Sequence, residues 1–362
     1  MYTEGKAKIA ASDGAFLNPE GRLSRDISVA FVKAMSKRGD SMLDSTAATG
    51  IRGIRYALET NAKKVTLLDI NEKVYKSLAK NVKANKIKAN ALNQSIQEFA
   101  NTTEDKFEFV DLDPFGGAAP NIFDLMKVVK DGSYMMITGT DTAVLCGAQH
   151  KACVRIYDAR PMHNELCHEA GIRILAGYVA RVAAQFGYGI RILLSFSYLH
   201  YMRIIIRLEH GAESASSSVD RLGYLYYCNS CTNREITTGF FPRAGNCKLC
   251  GSMFETAGKM WMGGIYEKAT VATIRKYFSA NVEDKAELKF IETLADEPDI
   301  PFYHSIPKLT RKLSMSAVSP AGVVSALVKK GYSAALTHME NSCVKTDAPL
   351  KVIKDTIVSL QK

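Results

Sequence analysis

Residues Asp111-Leu112-Asp113-Pro114-Phe115-Gly116-Gly117 hold three groups suited to one task. An apolar run, Phe107-Glu108-Phe109-Val110, leads into them and a Gly-rich turn follows, which places them at the end of a strand. Open α/β sheets carry their chemistry at the carboxyl edge. Asp113 supplies a carboxylate. Pro114 supplies a carbonyl beside a nitrogen with no proton to donate, and Phe115 a flat apolar face. Two acceptors and a stacking surface suit an amino group on an aromatic ring, such as a base swung out of its stack. Alone, the same residues also read as ordinary turn chemistry.

A second constellation lies upstream. Ser45-Thr46-Ala47-Ala48-Thr49-Gly50 is a loop of small residues between a strand and a helix, with Gly53 in the first helical turn. Asp69 closes the next strand, 19 residues after Gly50, near the spacing of an acid that holds ribose hydroxyls. The full G-x-G-x-x-G is missing. A dinucleotide pyrophosphate needs those glycines, whereas S-adenosylmethionine has no pyrophosphate, so the relaxed loop favours S-adenosylmethionine over NAD. A third constellation is Cys228-x-x-Cys231 and Cys247-x-x-Cys250, separated by 15 residues. That spacing is specific for a tetrahedral zinc site, and four thiolates fill the shell, so the metal is structural.

These groups need elements to hold them. A helix over about 26–37, with Ser24 as its cap, carries Ile27, Ala30, Phe31 and Ala34 on one face. Strands follow at Ser41–Asp44, Val65–Asp69, Ala89–Gln94, before Asp111 and at Tyr134–Thr138, with helices at 51–59, 71–85 and from Pro120. This alternation predicts an α/β fold with a doubly wound, mostly parallel sheet. A long helix over 165–186 precedes two strands, 191–198 and 200–208, that read as a closing hairpin. The Ser-rich run Glu213–Ser218 marks a boundary between domains at 1–215 and 216–362. In the second part, Ser319 and Pro320 start a helix with Val323, Val324, Leu327 and Val328 on its apolar face, and Gly331 stops it.

Composition excludes some classes. The 362 residues are 47% hydrophobic and 23% charged, ordinary for a globular protein with more than one domain. No run of 18 or more apolar residues suggests a membrane span, and Met1-Tyr2-Thr3-Glu4-Gly5-Lys6 lacks the apolar stretch of a secretory signal. A cytoplasmic protein is expected. The net charge of +10 is denser from Arg221 onward, where 19 Lys+Arg face 13 Asp+Glu, and a polyanionic partner fits. Cys146, Cys153, Cys167 and Cys343 are scattered in apolar contexts and read as buried structural thiols. His150, His163 and His168 read as structural, and Trp261 as packing.

In combination, these residues resemble the tRNA (guanine-26-N2)-dimethyltransferase family in its compact archaeal form. The resemblance spans nearly the whole chain. It runs through Glu4-Gly5-x-Ala7, Asn18-Pro19, Ser24-Arg25-Asp26, Ala48 to Arg55 and Asp111 to Gly116, then Thr140 to Gly147, Lys151-Ala152-Cys153 and Cys167-His168-Glu169. Leu194 to Tyr198 and Lys345-Thr346-Asp347-Ala348-Pro349 complete it. It implies a class I (Rossmann-like) methyltransferase domain and a smaller α+β zinc-containing domain that helps to hold tRNA. By motif match, Arg25, Arg52 and Asp69 bind S-adenosylmethionine, while Ser95 and Ile96, continuing to Gln97, frame the adenine. The family usually has Asp-Ala-Asn there, so Ser95 is a departure, and Asn18-Pro19-Glu20-Gly21 also differs after Asn-Pro. Guanine would stack on Phe115 with its N2 amino group held by Asp113 and the Pro114 carbonyl, Asp113 taking the released proton.

Three alternatives stay open on sequence. One is an N2-guanine or N6-adenine methyltransferase acting on another nucleic acid, separable by substrate competition. The second is a zinc-stabilised RNA-binding protein without catalysis, whose tRNA binding would ignore both S-adenosylmethionine and Asp113. The third, an NAD-linked oxidoreductase, is disfavoured by the missing glycines.

Overall fold

The computed structural model describes residues 1–10, 16–243 and 245–361. A short hairpin, β1 (Tyr2–Glu4) and β2 (Ala7–Ile9), comes first. A 3-10 turn at Pro19–Gly21 then runs into α1 (Arg22–Met35), the Asn18 side chain accepting from the Glu20 N–H. The expected helix start is corrected here. Ser24 is buried within α1, because the capped turn begins the coil a full turn earlier.

Strands and helices then alternate: β3 (Ser41–Asp44), α2 (Ile51–Glu59), β4 (Lys64–Leu68), α3 (Glu72–Ala84) and β5 (Ala89–Leu92). The alternation continues through α4 (Ile96–Thr102), β6 (Phe107–Leu112), α5 (Ala119–Leu125) and β7 (Val129–Gly139). After α6 (Thr142–Leu145), α7 (His150–Tyr157) and α8 (Cys167–Gln185), the hairpin β8 (Tyr188–Tyr198) and β9 (Tyr201–His210) closes the sheet. The strand order is β5-β4-β3-β6-β7-β9-β8, parallel from β5 to β7 and antiparallel beyond. The chain reverses its direction of travel between β3 and β6, which opens a crevice at their carboxyl ends. Asp44 and Asp111 are register partners there.

The Ser-rich run expected to be a linker is helical, α9 (Ala212–Asp220), so the boundary drawn at residue 215 falls inside a helix. Its small side chains permit close packing on β8. Ser218 Oγ accepts from the Ile190 N–H at 2.9 Å, and a Cβ on Gly189 would lie 2.3 Å from the Ser214 carbonyl oxygen. Tertiary contact thus overrides composition.

β10 (Leu222–Tyr227), β11 (Arg234–Thr238) and β12 (Glu255–Trp261) form an antiparallel sheet ordered β11-β10-β12, and β12 packs on α8. α10 (Lys268–Asn281) packs on α1, and α11 (Lys285–Asp296) packs on α10. Trp261 is buried and its indole N–H meets the Gly264 carbonyl at 2.9 Å, a packing role. One apolar core therefore draws on both sides of residue 215. The last part is β13 (His304–Ser305), α12 (Ile306–Lys312), α13 (Pro320–Lys329), β14 (Ala334–Thr337), β15 (Glu340–Thr346) and α14 (Leu350–Ser359). It has its own core around Ile306, Leu309, Val323, Leu327, Val344, Ile353 and Ile357. Ser319 caps α13 through the Gly322 N–H at 3.4 Å. Val323 and Leu327 face inward while Val328 is exposed.

Candidate active site

A cavity of about 800 Å³ opens along the carboxyl edge of the sheet. Arg25, Arg52, Asp69, Ser95, Ile96, Asp113, Pro114 and Phe115 all line it. Its floor is the loop after β3, which is tied to its neighbours: Ala47 N–H to the Leu68 carbonyl at 2.8 Å, Ser45 Oγ–H to the Asp111 carbonyl at 2.7 Å, and Asp113 N–H to Thr46 Oγ1 at 2.9 Å. Gly50 enters α2 at φ +83°, where a side chain is strained. Gly53 N–H donates to Asp44 Oδ2 at 2.9 Å, and a Cβ at Gly53 would sit 2.5 Å from Leu67 Cδ2.

The end near β4 and β5 holds Asp69. Its oxygens accept from Asn71 N–H at 2.8 Å and Ala48 N–H at 3.1 Å, which fixes the carboxylate and leaves each oxygen a further lone pair. Burial raises its pKa against those two hydrogen bonds. Ser95 caps α4 by accepting from Glu98 N–H at 3.0 Å, and the buried Ile96 side chain adds an apolar wall. Arg25 is clamped by Glu4 through two contacts of 2.6 Å and donates to the Asn18 carbonyl at 3.1 Å. The β1–β2 hairpin therefore has a clear purpose, since it delivers Glu4 beneath Arg25.

The end near β6 and β7 holds Asp113. Arg52 Nη2 donates to Asp113 Oδ2 at 2.5 Å. Burial pushes the Asp113 pKa up, but Arg52 and Arg203 pull it down further, and the net shift is downward. Arg203 also donates to Asp111 at 2.6 Å and to Thr138 at 2.5 Å, and the Tyr56 hydroxyl donates to Asp111. Asp44, beside Asp111, is buried, and its pKa rises to about 7, through burial first and Asp111 second. The Thr140 Oγ1 accepts from Gly116 N–H at 2.8 Å and lies 2.9 Å from the Gly116 carbonyl. It is a longer 3.4 Å from the Pro114 carbonyl, which leaves that acceptor lightly engaged.

Phe115 is 78% exposed at the rim, and Phe16 faces it edge to face with ring centroids 5.2 Å apart. Phe16, Asp44, Thr140 and Arg203 are additions to the site read from sequence. Asp44 closes a strand just as Asp69 does, so the same signal marked it. Phe16 lies in a stretch without periodicity, and only the tertiary fold brings it to Phe115.

The two Cys-x-x-Cys knuckles meet. Cys228 Sγ is 3.4 Å from Cys250 Sγ, and Cys231 Sγ is 3.5 Å from Cys247 Sγ. All four lie within 4.8 Å of one another, compact enough for one tetrahedral ion. Of the other thiols, Cys153 and Cys343 are buried as expected, while Cys146 and Cys167 are half-buried and, unlike scattered thiols, gather with His168 within 4.8 Å. His150 and His163 are exposed, and His168 is half-buried with Nδ1 3.3 Å from Ser197 Oγ. Among the described residues no helix is long and apolar enough to cross a membrane.

The doubly wound sheet and its edge cavity define an α/β, Rossmann-like methyltransferase. The chain belongs to the N2,N2-dimethylguanosine tRNA methyltransferase family, whose model matches residues 1–358. It is 34% identical to the tRNA (guanine(26)-N(2))-dimethyltransferase of Pyrococcus abyssi, with 98% of each chain covered. The enzyme of that name from Methanospirillum hungatei is 36% identical, over 95% of this chain and 92% of its own. The solved structure of Trm1 from Pyrococcus horikoshii with S-adenosyl-L-methionine superposes with a TM-score of 0.91 at 32% identity, covering 98% of both chains.

Proposed function

We propose that this protein methylates the N2 amino group of guanine 26 in tRNA, in one or two rounds, with S-adenosylmethionine as donor. The observation that carries the reading is Asp113, held ionised by Arg52 at 2.5 Å in the cavity that the exposed Phe115 and Phe16 rings also line. The names of the family's members support the same reaction.

The cofactor supplies an electrophilic methyl group on a sulfonium. Asp69 suits the ribose hydroxyls, Ser95 and Ile96 the adenine, and the unused Arg25 N–H groups the cofactor carboxylate. Asp44 is the acceptor for its ammonium group. On the target side, Phe115 and Phe16 offer faces to an extruded guanine. The N2 lone pair is normally delocalised into the ring. Asp113 and the Pro114 carbonyl accept its two hydrogens, which localises the lone pair and aims it across the cavity. Asp113 then takes the released proton. Its depressed pKa makes it a weak base, yet an alkylated amino group that has lost conjugation is a strong acid, so a weak base suffices. Cys228, Cys231, Cys247 and Cys250 would hold a structural zinc, which would tie the turn after β10 to the segment before β12. The seven-stranded sheet and its helices through α9 carry the chemistry, and the part from β10 onward helps to hold tRNA, which suits a cytoplasmic enzyme.

The test is transfer from labelled S-adenosylmethionine to unmodified tRNA transcript, wild type beside Asp113→Ala, with nucleosides analysed after digestion. N2-methylated guanosine at position 26 from wild type alone is the expected result. Wild type that binds tRNA but methylates no RNA would sink the reading and favour a non-catalytic RNA-binding protein.

A further inference from the structure

Outside the cavity, a pair of aromatic rings stands in solvent at the turn after β11. Phe240 and Phe241 are 70% and 79% exposed, with ring centroids 5.1 Å apart. Two adjacent phenyl rings left in water indicate an absent partner. The turn is nevertheless held. The Tyr224 hydroxyl donates to the Phe240 carbonyl at 3.0 Å, and Arg243 N–H donates to the Tyr226 hydroxyl at 2.8 Å. The rings are thus presented on an anchored backbone.

The surroundings are cationic. Lys259 Nζ lies 4.0 Å from the Phe240 ring centroid. The Arg181 guanidinium reaches the Lys259 carbonyl at 3.5 Å, and burial first, then Arg181, lowers the Lys259 pKa. Arg160 pairs with Gly258, the residue before Lys259, and exposed Lys151 and Arg155 continue along α7. Asp158 is the exposed acid along this stretch. Internal hydrogen bonds tie this region to the target turn: Arg181 donates to the Tyr157 carbonyl, and the buried Tyr157 donates its hydroxyl to Asp141 at 2.9 Å. A Cβ on Gly117 would sit 2.9 Å from Asp141 Oδ2.

We propose that the Phe240–Phe241 tip is a nucleobase-stacking site for an unpaired base of the RNA whose guanine enters the cavity, with Lys259 and Arg160 holding the adjoining phosphates. This rests on the reading that the substrate is tRNA. Aromatic faces beside cations fit single-stranded nucleotides, whose bases have free π-faces. A paired base offers no free face. An apolar protein partner would leave the row of cations unanswered.

The test uses the full-length protein and unmodified tRNA transcript. The double variant Phe240→Ala with Phe241→Ala is expected to raise the Kd for tRNA at least about ten-fold, within the roughly 5- to 150-fold attached to one stacked base. Its Kd for S-adenosylmethionine reports folding and stays at the wild-type value. The ratio of variant to wild-type Kd holds from low to high salt, whereas Lys259→Ala flattens the salt dependence. Phe241→Trp keeps affinity and its emission is quenched by tRNA, while the native Trp261, 1% exposed, gives a constant background that the wild type measures. Wild-type binding by the double variant, with Phe241→Trp emission unmoved, overturns the stacking site alone. A double variant that changes only self-association also overturns it and makes the tip a protein contact. Wild type that binds tRNA but transfers no methyl group overturns the proposed reaction and leaves the stacking result standing. Wild type with no affinity for tRNA overturns both.

Discussion

The molecule holds two clusters of buried charge that differ in balance and in access. One is Asp44, Arg52, Asp111, Asp113 and Arg203 at the sheet edge. The other is Glu169, Arg173, Glu297, His338 and Lys345, where α8 meets the C-terminal part. In the second, the side chains of all five are fully enclosed. Glu169 Oε1 accepts from Arg173 at 2.8 and 2.9 Å and from Phe302 N–H at 2.7 Å. Glu297 takes Lys345 at 2.9 Å, Thr337 at 3.0 Å and His338 Nδ1 at 2.6 Å. Formal charges balance there, His338 aside, with two acids against Arg173 and Lys345. At the sheet edge, three acids face two arginines, and the Asp113 side chain is 33% exposed to the cavity. The enclosed cluster fixes two parts of the chain in register. The open one is a positive charge short, and S-adenosylmethionine, with two cationic groups and one carboxylate, brings it. Buried charge alone does not mark a site; imbalance together with access does.

The largest effect expected is on stability, at the enclosed cluster. Lys345→Met leaves two fully enclosed carboxylates sharing Arg173 and His338. Breaking a buried pair in this way costs about 3–5 kcal/mol. Urea denaturation should show that loss, while methyl transfer per folded molecule stays within a few-fold of wild type. Lost transfer at unchanged stability would break the comparison. The converse substitution is Asp113→Asn. It keeps an acceptor for Arg52 but removes the charge beside the target amine, and kcat should fall about 10²–10³-fold. The urea midpoint should move little, since Arg52 retains Asp111 at 3.8 Å.

Much of the sheet was legible because strand and helix periods alternate, and because Asp69 and Asp113 close their strands. β3 and α2 fall at the predicted residues, and the other predicted strands and helices of the sheet differ only at their ends. What was not legible depends on long-range contact. Glu4 gains meaning only when the hairpin sets it under Arg25, 21 residues on. α9 is helical because Ser214 and Ser218 fit against β8, a fact absent from a run of serines. The cluster at Glu169 was likewise hidden. Lys345 entered the sequence reading as part of a motif without a task, and its partners lie on elements far apart in the chain.

The smallest effect expected tests the charge deficit directly. The Asp44 pKa in the ligand-free protein is raised from 3.8 to about 7. Between those values the folded protein binds a proton that the unfolded chain does not. Stability contributed at this group therefore falls as pH rises from 3.8 toward 7. The cationic cofactor needs the ionised carboxylate, so its binding expels that proton. Affinity for S-adenosylmethionine should then weaken up to about ten-fold for each pH unit below 7 and level off above it. The two dependences run in opposite directions, as they must if one carboxylate is both a cost to the empty fold and a partner for the ligand. Calorimetry in buffers of different ionisation enthalpy should record one proton released on binding near pH 6 and almost none near pH 8. Asp44→Asn should abolish the release and flatten the affinity profile. A flat profile in wild type would show that the deficit at the sheet edge is met by some group other than Asp44.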